Sequence, residues 1–349
     1  MPKKINHVFL DSLTFEKLYQ AHRRAAYAKT SKTTVLKFEL DLETNLATLL
    51  TKLENGTYHV GKYYDFTIYE PKERLIRALP YPDRVIHQWY VEEFIKPYIV
   101  PKFICDSYAC LENKGTHRAV YKLQKYMRIM KRKYGTYYIV KCDVKKFFYN
   151  IDKHILYDII CRYFKDKKFL EFTYNLIFDD EKDIGIPIGN YMSQYFANIY
   201  LNEIDHYMKD VLHVQYYVRY MDDFVFLSSS KAEAKELFQK ATKFLNEHLN
   251  LEMNPKSRYF PNHFGVNFCG YRIYETHILL RKSSKIKMKR KIKKWNQDYL
   301  DEKLDFEYAL ASWNSWLAHA AHANSYNLRM KLEQEILCKE LVEYYQMHD

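Results

Sequence analysis

Glycine and proline are scarce, at 8 and 9 of 349 residues, which excludes collagen-like repeats and flexible-linker composition. The six cysteines, Cys105, Cys110, Cys142, Cys161, Cys269 and Cys338, form no CxxC pair, and no histidine stands at zinc-finger spacing. A zinc site is therefore not expected, and free thiols in a reducing cytoplasm are. No stretch approaches the ~18 apolar residues of a membrane span, and the opening MPKKINHVFLDSL lacks the long apolar segment of a secretory signal. A Walker loop, a Gly-x-Ser-x-Gly elbow and an HExxH helix are also missing, so nucleotide hydrolases, esterases and metalloproteases lack their required parts.

What is present is a folded, water-soluble composition with 48% hydrophobic and 28% charged residues. Lys and Arg number 55 against 43 Asp and Glu, a net charge of +12, which suits a polyanionic partner such as nucleic acid. The charge is patterned. From Lys114 to Lys141 there are nine basic residues and no acid, and RKSSKIKMKRKIKK (281–294) holds nine more in fourteen, again with no acid. The first reads equally as a solvated helix face or a phosphate-facing surface, and the second as a surface for a nucleic-acid backbone ahead of a nuclear-localisation signal. The 34 Tyr and 21 Phe either fill cores or stack on bases.

Apolar spacing predicts helix over residues 12–54, closed by Asn55-Gly56, and β-prone runs from Tyr58 to Leu79 broken by Pro71. A helix is expected from Asp83, another within the basic 114–141 stretch, and a strand from Tyr137 to Val140 running into Lys141-Cys142-Asp143. A buried-face helix over 191–209, a hairpin from Gln215 to Leu227, a helix near 231–249, a strand pair near 265–280 and a helical tail from about 285 complete the reading. No internal repeat is evident.

The hairpin carries Tyr220-Met221-Asp222-Asp223 between two apolar runs, and Asp143 ends an earlier strand. An Asp-Asp pair in a turn is ordinary by itself. With a further strand-end Asp it matches what two-metal phosphoryl transfer needs, carboxylates converging on ions ~3.5–4 Å apart.

At these residues the sequence resembles a reverse transcriptase. KCDVKKFFYNID (141–152) and RYMDDFVFL (219–227) are similar to the two catalytic blocks, HLNLEMNPKS (248–257) and NFCGYRI (267–273) to the blocks that follow, and KERLIRALPYPDRVIHQ (72–88) to the finger segment that holds the incoming triphosphate. GIPIGNYMSQYFANIYLNEID (185–205) resembles the enzymes of diversity-generating retroelements: Pro187-Ile188-Gly189 and Ser193-Gln194 replace the usual Pro-Gln-Gly and Ser-Pro. An aliphatic Ile188 in place of a glutamine amide implies weaker base selection, and resemblance to this subgroup implies an error-prone enzyme that miscopies template adenines.

The resemblance implies an α+β right-hand fold, with fingers and palm over 1–275, palm strands around 137–152 and 186–275, and a helical thumb over 276–349 that opens on the basic stretch. It makes Asp143, Asp222 and Asp223 the carboxylates for two Mg²⁺ ions, Mn²⁺ being able to substitute, with the Val144 carbonyl as a further ligand. Lys256 becomes the proton donor to leaving pyrophosphate. Lys72 and Arg74 grip the triphosphate, with Arg77 as an alternative. Phe148 excludes a ribose 2′-hydroxyl, while Phe147 reads as a core aromatic. Ile188, Gly189 and Gln194 line the dNTP site, and Tyr220, Met221, Gly270, Tyr271, Arg281, Lys282, Lys285, Lys289 and Arg290 contact nucleic acid. His319 and His322 read as packing or backbone contacts.

The implied partners are template RNA, primer, cDNA, dNTPs and a small basic oligomeric accessory protein, with no membrane. Two other readings are a defence reverse transcriptase, against which the Ile188-Gly189 and Ser193-Gln194 block argues, and a non-catalytic RNA-binding scaffold, which retention of all three Asp disfavours.

Overall fold

Between residues 12 and 54 the chain folds as three helices, Phe15–Ala26, Thr33–Glu39 and Leu42–Glu54. Thr14 caps the first by accepting Lys17 N at 3.3 Å. Ala28 then takes a positive φ of 56°, which breaks the apparent periodicity. The computed structural model describes residues 4–69 and 73–342. It separates into two units, each drawn from three stretches of chain: Met1–Cys110, Cys142–Gln215 and Gln239–Ser257, and Leu111–Lys141, Tyr216–Phe238 and Arg258–Asp349.

The first unit is mostly helical. Its aromatic core gathers Phe9, Trp89, Phe94, Phe169 and Phe172, with Phe94 and Phe169 centroids 4.8 Å apart, and Trp89 Nε1 donates to Ser12 O at 2.8 Å. Much of the aromatic excess is thus spent on burial. The helix expected from Asp83 starts earlier, as Tyr81–Tyr90, because Pro82 fits its first turn. A single hairpin, β1 (Tyr64–Ile68) and β2 (Arg74–Ala78), pairs Tyr64 with Ala78 and Ile68 with Arg74. Helices Lys153–Cys161, Lys167–Ile177 and Tyr191–His206 complete this unit's main elements.

Two sheets lie in the second unit, save for the last two residues of β3, which belong to the first. Strands β3 (Tyr138–Asp143), β4 (Tyr217–Tyr220), β5 (Asp223–Ser228) and β6 (Arg258–Pro261) lie in the order β4-β5-β3-β6. Where a strand pair was expected near 265–280 there are three short strands, β7 (Val266–Phe268), β8 (Tyr271–Ile273) and β9 (Ile278–Leu280). The helix Thr116–Tyr134 buries Ala119, Val120, Leu123, Met127 and Met130 and packs on β4. Its outer face leaves Arg118, Lys125, Arg128, Lys131, Arg132 and Lys133 exposed.

The tail forms helices Lys282–Leu300, Phe306–Ala321 and Tyr326–Glu335. Met288, Ile292 and Trp295 are buried on the first, while Trp313 and Trp316 stack 5.4 Å apart on the second. The helix Lys231–Leu249 starts in the second unit and ends in the first. Among the described residues no helix is long and apolar enough to cross a membrane, and all six cysteines are free.

Candidate functional site

β3 ends at Asp143, and the segment 252–257 holds this residue from several sides. Asp143 N donates to Ser257 Oγ at 3.0 Å, and Asp143 O accepts from Asn254 N at 2.8 Å. Asn254 Nδ2 donates to the carboxylate itself at 2.7 Å. One residue on, Val144 bridges Met253 in antiparallel fashion, and Lys145 pairs with Glu252 at 2.6 Å. The Asn-Pro-Lys-Ser segment therefore positions the carboxylate, a role for Asn254 and Ser257 that sequence reasoning missed. Lys256 is exposed beside them, and its backbone N donates to Asn254 Oδ1 at 3.0 Å.

The two phenylalanines after Asp143 differ in burial. Phe147 is 2% exposed and packs edge-on to Phe148 at 5.6 Å. Phe148 is half-buried, and its carbonyl accepts Ile186 N at 2.9 Å. That bond ties Phe148 to the Gly185–Gly189 loop. Within the loop, Ile188 O accepts Arg77 N at 3.0 Å, so the loop docks on β2. Gly189 has φ +117°, and a Cβ there would meet Ile76 Cγ2 at 2.8 Å; glycine is required both for the backbone angle and for this close approach. Gln194 is exposed on the helix that follows.

Arg74 is exposed at the start of β2, whereas Arg77 is committed elsewhere. Its guanidinium bonds Asp180 at 2.9 Å, reaches Asp65 at 3.5 Å and lies over the Tyr63 ring at 4.3 Å. Arg77 is therefore a structural cation of the hairpin rather than an open triphosphate ligand. Lys72 lies outside the described residues.

In the second unit, Tyr220 pairs with Asp223, leaving Met221 and Asp222 as a two-residue turn between β4 and β5. Met221 takes φ 56°, a conformation that costs a non-glycine residue roughly 1–3 kcal/mol and that collects at functional sites. Arg219, fully buried, donates to Met221 O at 3.1 Å and props the turn from beneath. Asp223 is ion-paired with Lys141. Lys141 thus leaves the basic stripe to which its position in sequence assigns it, and its Nζ lies 5.3 Å from the Phe268 ring centroid.

The turn Cys269-Gly270 combines φ values of 47° and 88°, and Gly270 O accepts Arg281 N at 3.1 Å. Burial pushes the Cys269 thiol up to about 12, so it stays neutral. Tyr271 is 0% exposed. Its hydroxyl lies 3.0 Å from His117 Nε2 and 2.8 Å from His319 Nδ1, so its side chain anchors the turn internally instead of offering nucleic acid a surface. His322 stacks on His117 at 3.4 Å, the packing role expected of it. On the basic helix, Lys282, Lys289 and Arg290 are exposed and Lys285 is half-buried.

Among the described residues no group of three or more His, Cys, Asp and Glu side chains comes together to hold a metal ion. The donors at Asp143, Asp222 and Asp223 are hard oxygens, the kind Mg²⁺ selects. Mg²⁺ usually takes one or two protein carboxylates and fills its other positions with water and substrate phosphate, so this donor chemistry fits without a closed protein cage.

The family model described as reverse transcriptase (RNA-dependent DNA polymerase) matches residues 70–273, more than half of the chain. The chain belongs to the reverse transcriptase family. The match takes in Asp143, Asp222, Asp223 and the 185–205 block, and it ends before the basic helix. No curated protein matches this reverse transcriptase. Solved structures similar to it include apo telomerase of Candida tropicalis truncated from its C-terminal domain (15% identity, 63% of this chain, 55% of that one, TM-score 0.46). Telomerase of Candida albicans with a fragment of telomeric RNA is another (12%, 68%, 51%, 0.48). Apo telomerase of Candida tropicalis is a third (13%, 70%, 53%, 0.47). The chain spans about half the length of these telomerase chains.

Proposed function

We propose that this reverse transcriptase extends a primer 3′-hydroxyl on an RNA template with dNTPs, releasing pyrophosphate, as the error-prone polymerase of a diversity-generating retroelement. The observation that carries the polymerase reading is the acids' placement on strands. β3 ends at Asp143, and its neighbour in the sheet, β5, opens at Asp223 directly after Asp222. Asp143, Asp222 and Asp223 would hold the divalent ions, with the Val144 carbonyl adding a ligand. Two bound Mg²⁺ or Mn²⁺ ions would activate the attacking hydroxyl and stabilise the leaving oxygen.

The protein's own contribution is placement. Asn254 and Ser257 aim Asp143, Arg219 supports the turn bearing Asp222, Phe148 screens the sugar, and Arg74 meets the triphosphate with a fork suited to phosphate oxygens. Lys256 stands as proton donor to pyrophosphate. Tyr220, Met221 and Gly270 contact primer and template, and Arg281, Lys282, Lys285, Lys289 and Arg290 grip the duplex backbone from a helical thumb beginning near 276. Ile188, with Gly189 and Gln194, supports the retroelement assignment, since an aliphatic residue there leaves base selection weaker. Template RNA and a small basic oligomeric accessory protein belong to the same reading, as does a reducing cytoplasm.

The test is primer extension by the full chain on an adenine-containing RNA template with Mg²⁺ and dNTPs, followed by cDNA sequencing, for the parent and Ile188→Gln. Errors concentrated opposite adenine and reduced in the variant support the proposal. Accurate synthesis would turn the reading to a defence or intron-like enzyme, and no synthesis would turn it to a scaffold.

A further inference from the structure

Lys153 is 1% exposed, at the start of the helix Lys153–Cys161. A buried ammonium is expensive unless its charge is matched at close range. Two consecutive acids match it. Lys153 Nζ lies 2.6 Å from Asp180 Oδ1 and 3.7 Å from Asp179 Oδ1. Asp180 offers its second oxygen to Arg77 at 2.9 Å, and Asp179, with a side chain 4% exposed, accepts the Tyr63 hydroxyl. That hydroxyl in turn accepts Asn190 Nδ2 at 3.3 Å.

Burial and the adjacent Asp180 raise the Asp179 carboxyl, against the pull of Tyr63 and Lys153. At Asp180 burial is outweighed by the hydrogen bonds from Lys153 and Arg77, which hold its carboxyl below the usual range.

An apolar side chain of similar volume would satisfy burial equally well. What the ionic chain adds is direction, because each link carries a donor to a fixed acceptor and the far ends are both strands of one hairpin. Tyr63 immediately precedes β1, Asp65 lies on it, and Arg77 lies on β2, three residues past Arg74. Arg77 N also holds Ile188 O at 3.0 Å, and Asn190 closes the same loop.

We propose that Asp180 is a positioning residue which, through Lys153 and Arg77, locks the β1–β2 hairpin and the Ile188-Gly189 loop in the setting that receives the incoming dNTP. This rests on the polymerase reading above. Its substrate is the nucleotide triphosphate and not the template.

The experiment compares the full chain with Asp180→Asn, which keeps shape and removes charge, in single-nucleotide extension on RNA and in hydrogen exchange. The expected result is a KM for dNTP raised about tenfold or more, as for a binding group displaced by a fraction of an ångström to an ångström. kcat should stay within about twofold. Exchange should quicken in β1, β2 and residues 185–190, and Asp180→Glu should restore part of the KM. If Asp180→Asn fails to fold, Lys153→Met, which keeps the length of the buried side chain and cuts its link to Asp180, carries the test through the same KM rise. An active parent whose variants keep its KM, or whose hairpin exchanges no faster, overturns this inference alone. A parent that cannot extend a primer overturns the polymerase reading and this one with it.

Discussion

The side-chain amide of Asn254 donates to the Asp143 carboxylate at 2.7 Å while its oxygen accepts Lys256 N at 3.0 Å. The amide is pinned at both ends, so it fixes where that carboxylate points. Asn254→Leu should lower kcat by about 10–100-fold, the range seen when an outer partner of a metal-binding group is lost. RNA affinity should be unchanged. Asp222→Asn should abolish extension altogether with RNA binding again intact. Steady-state kinetics beside a filter-binding titration separates the two effects, and a parallel loss of RNA affinity in either variant would contradict the assignment.

Phe147 and Phe148 are adjacent yet should behave differently. Phe148→Ala should raise ribonucleotide incorporation by about 10–100-fold relative to deoxynucleotide, since the variant removes the ring proposed to screen the sugar. Phe147→Ala should leave sugar selection alone and cost ~3–5 kcal/mol of stability through a core cavity. Competition extension with a thermal melt reads both, and an exchange of the two phenotypes would move the gate to Phe147.

Strand ends bearing acids, the Met221-Asp222 turn and the helix Lys231–Leu249 were legible because local pattern and final structure agree there. β6 was not: Arg-Tyr-Phe-Pro is four residues with a proline at the end, and it becomes a strand by pairing with β3 more than a hundred residues away. The breaks that divide residues 12–54 depend on backbone angles at Ala28 that no apolar spacing reveals. Asn254 lies 111 residues from Asp143, so its task is set by tertiary contact. Only the fold brings Asp179 and Asp180 to Lys153.

Burial holds His87 neutral, its pKa pushed down to about 4 from 6.5. Between those values the unfolded chain binds a proton that the folded chain refuses. Stability is therefore whole above about pH 6.5 and declines as pH falls toward 4, by at most roughly 3 kcal/mol. Melting temperatures from pH 7.5 to 4.5 should drop less steeply for His87→Leu than for the parent. Equal slopes would mean the acid sensitivity arises elsewhere.

Lys289 and Arg290 are exposed on the outer side of a helix whose inner side is Met288, Ile292 and Trp295. Replacing both by Gln should weaken binding to RNA–DNA duplexes of any sequence and reduce the slope of log Kd against log salt by about 1–2. A slope equal to the parent's would remove this face from the nucleic-acid surface.

The two units interleave along the chain, exchanging at residues 110, 141, 215, 238 and 257. As the polypeptide leaves the ribosome, neither can be finished in turn. The first waits for Ser257, and by then the second has already laid down β3, β4 and β5 without the β6 edge they require. Such an order defers the long-range pairings until late in translation and leaves unpaired strand edges waiting. It also means that a cut at 141, 215 or 238 divides both units, so splitting the gene at any of those three positions should give two fragments that dissolve only when expressed together.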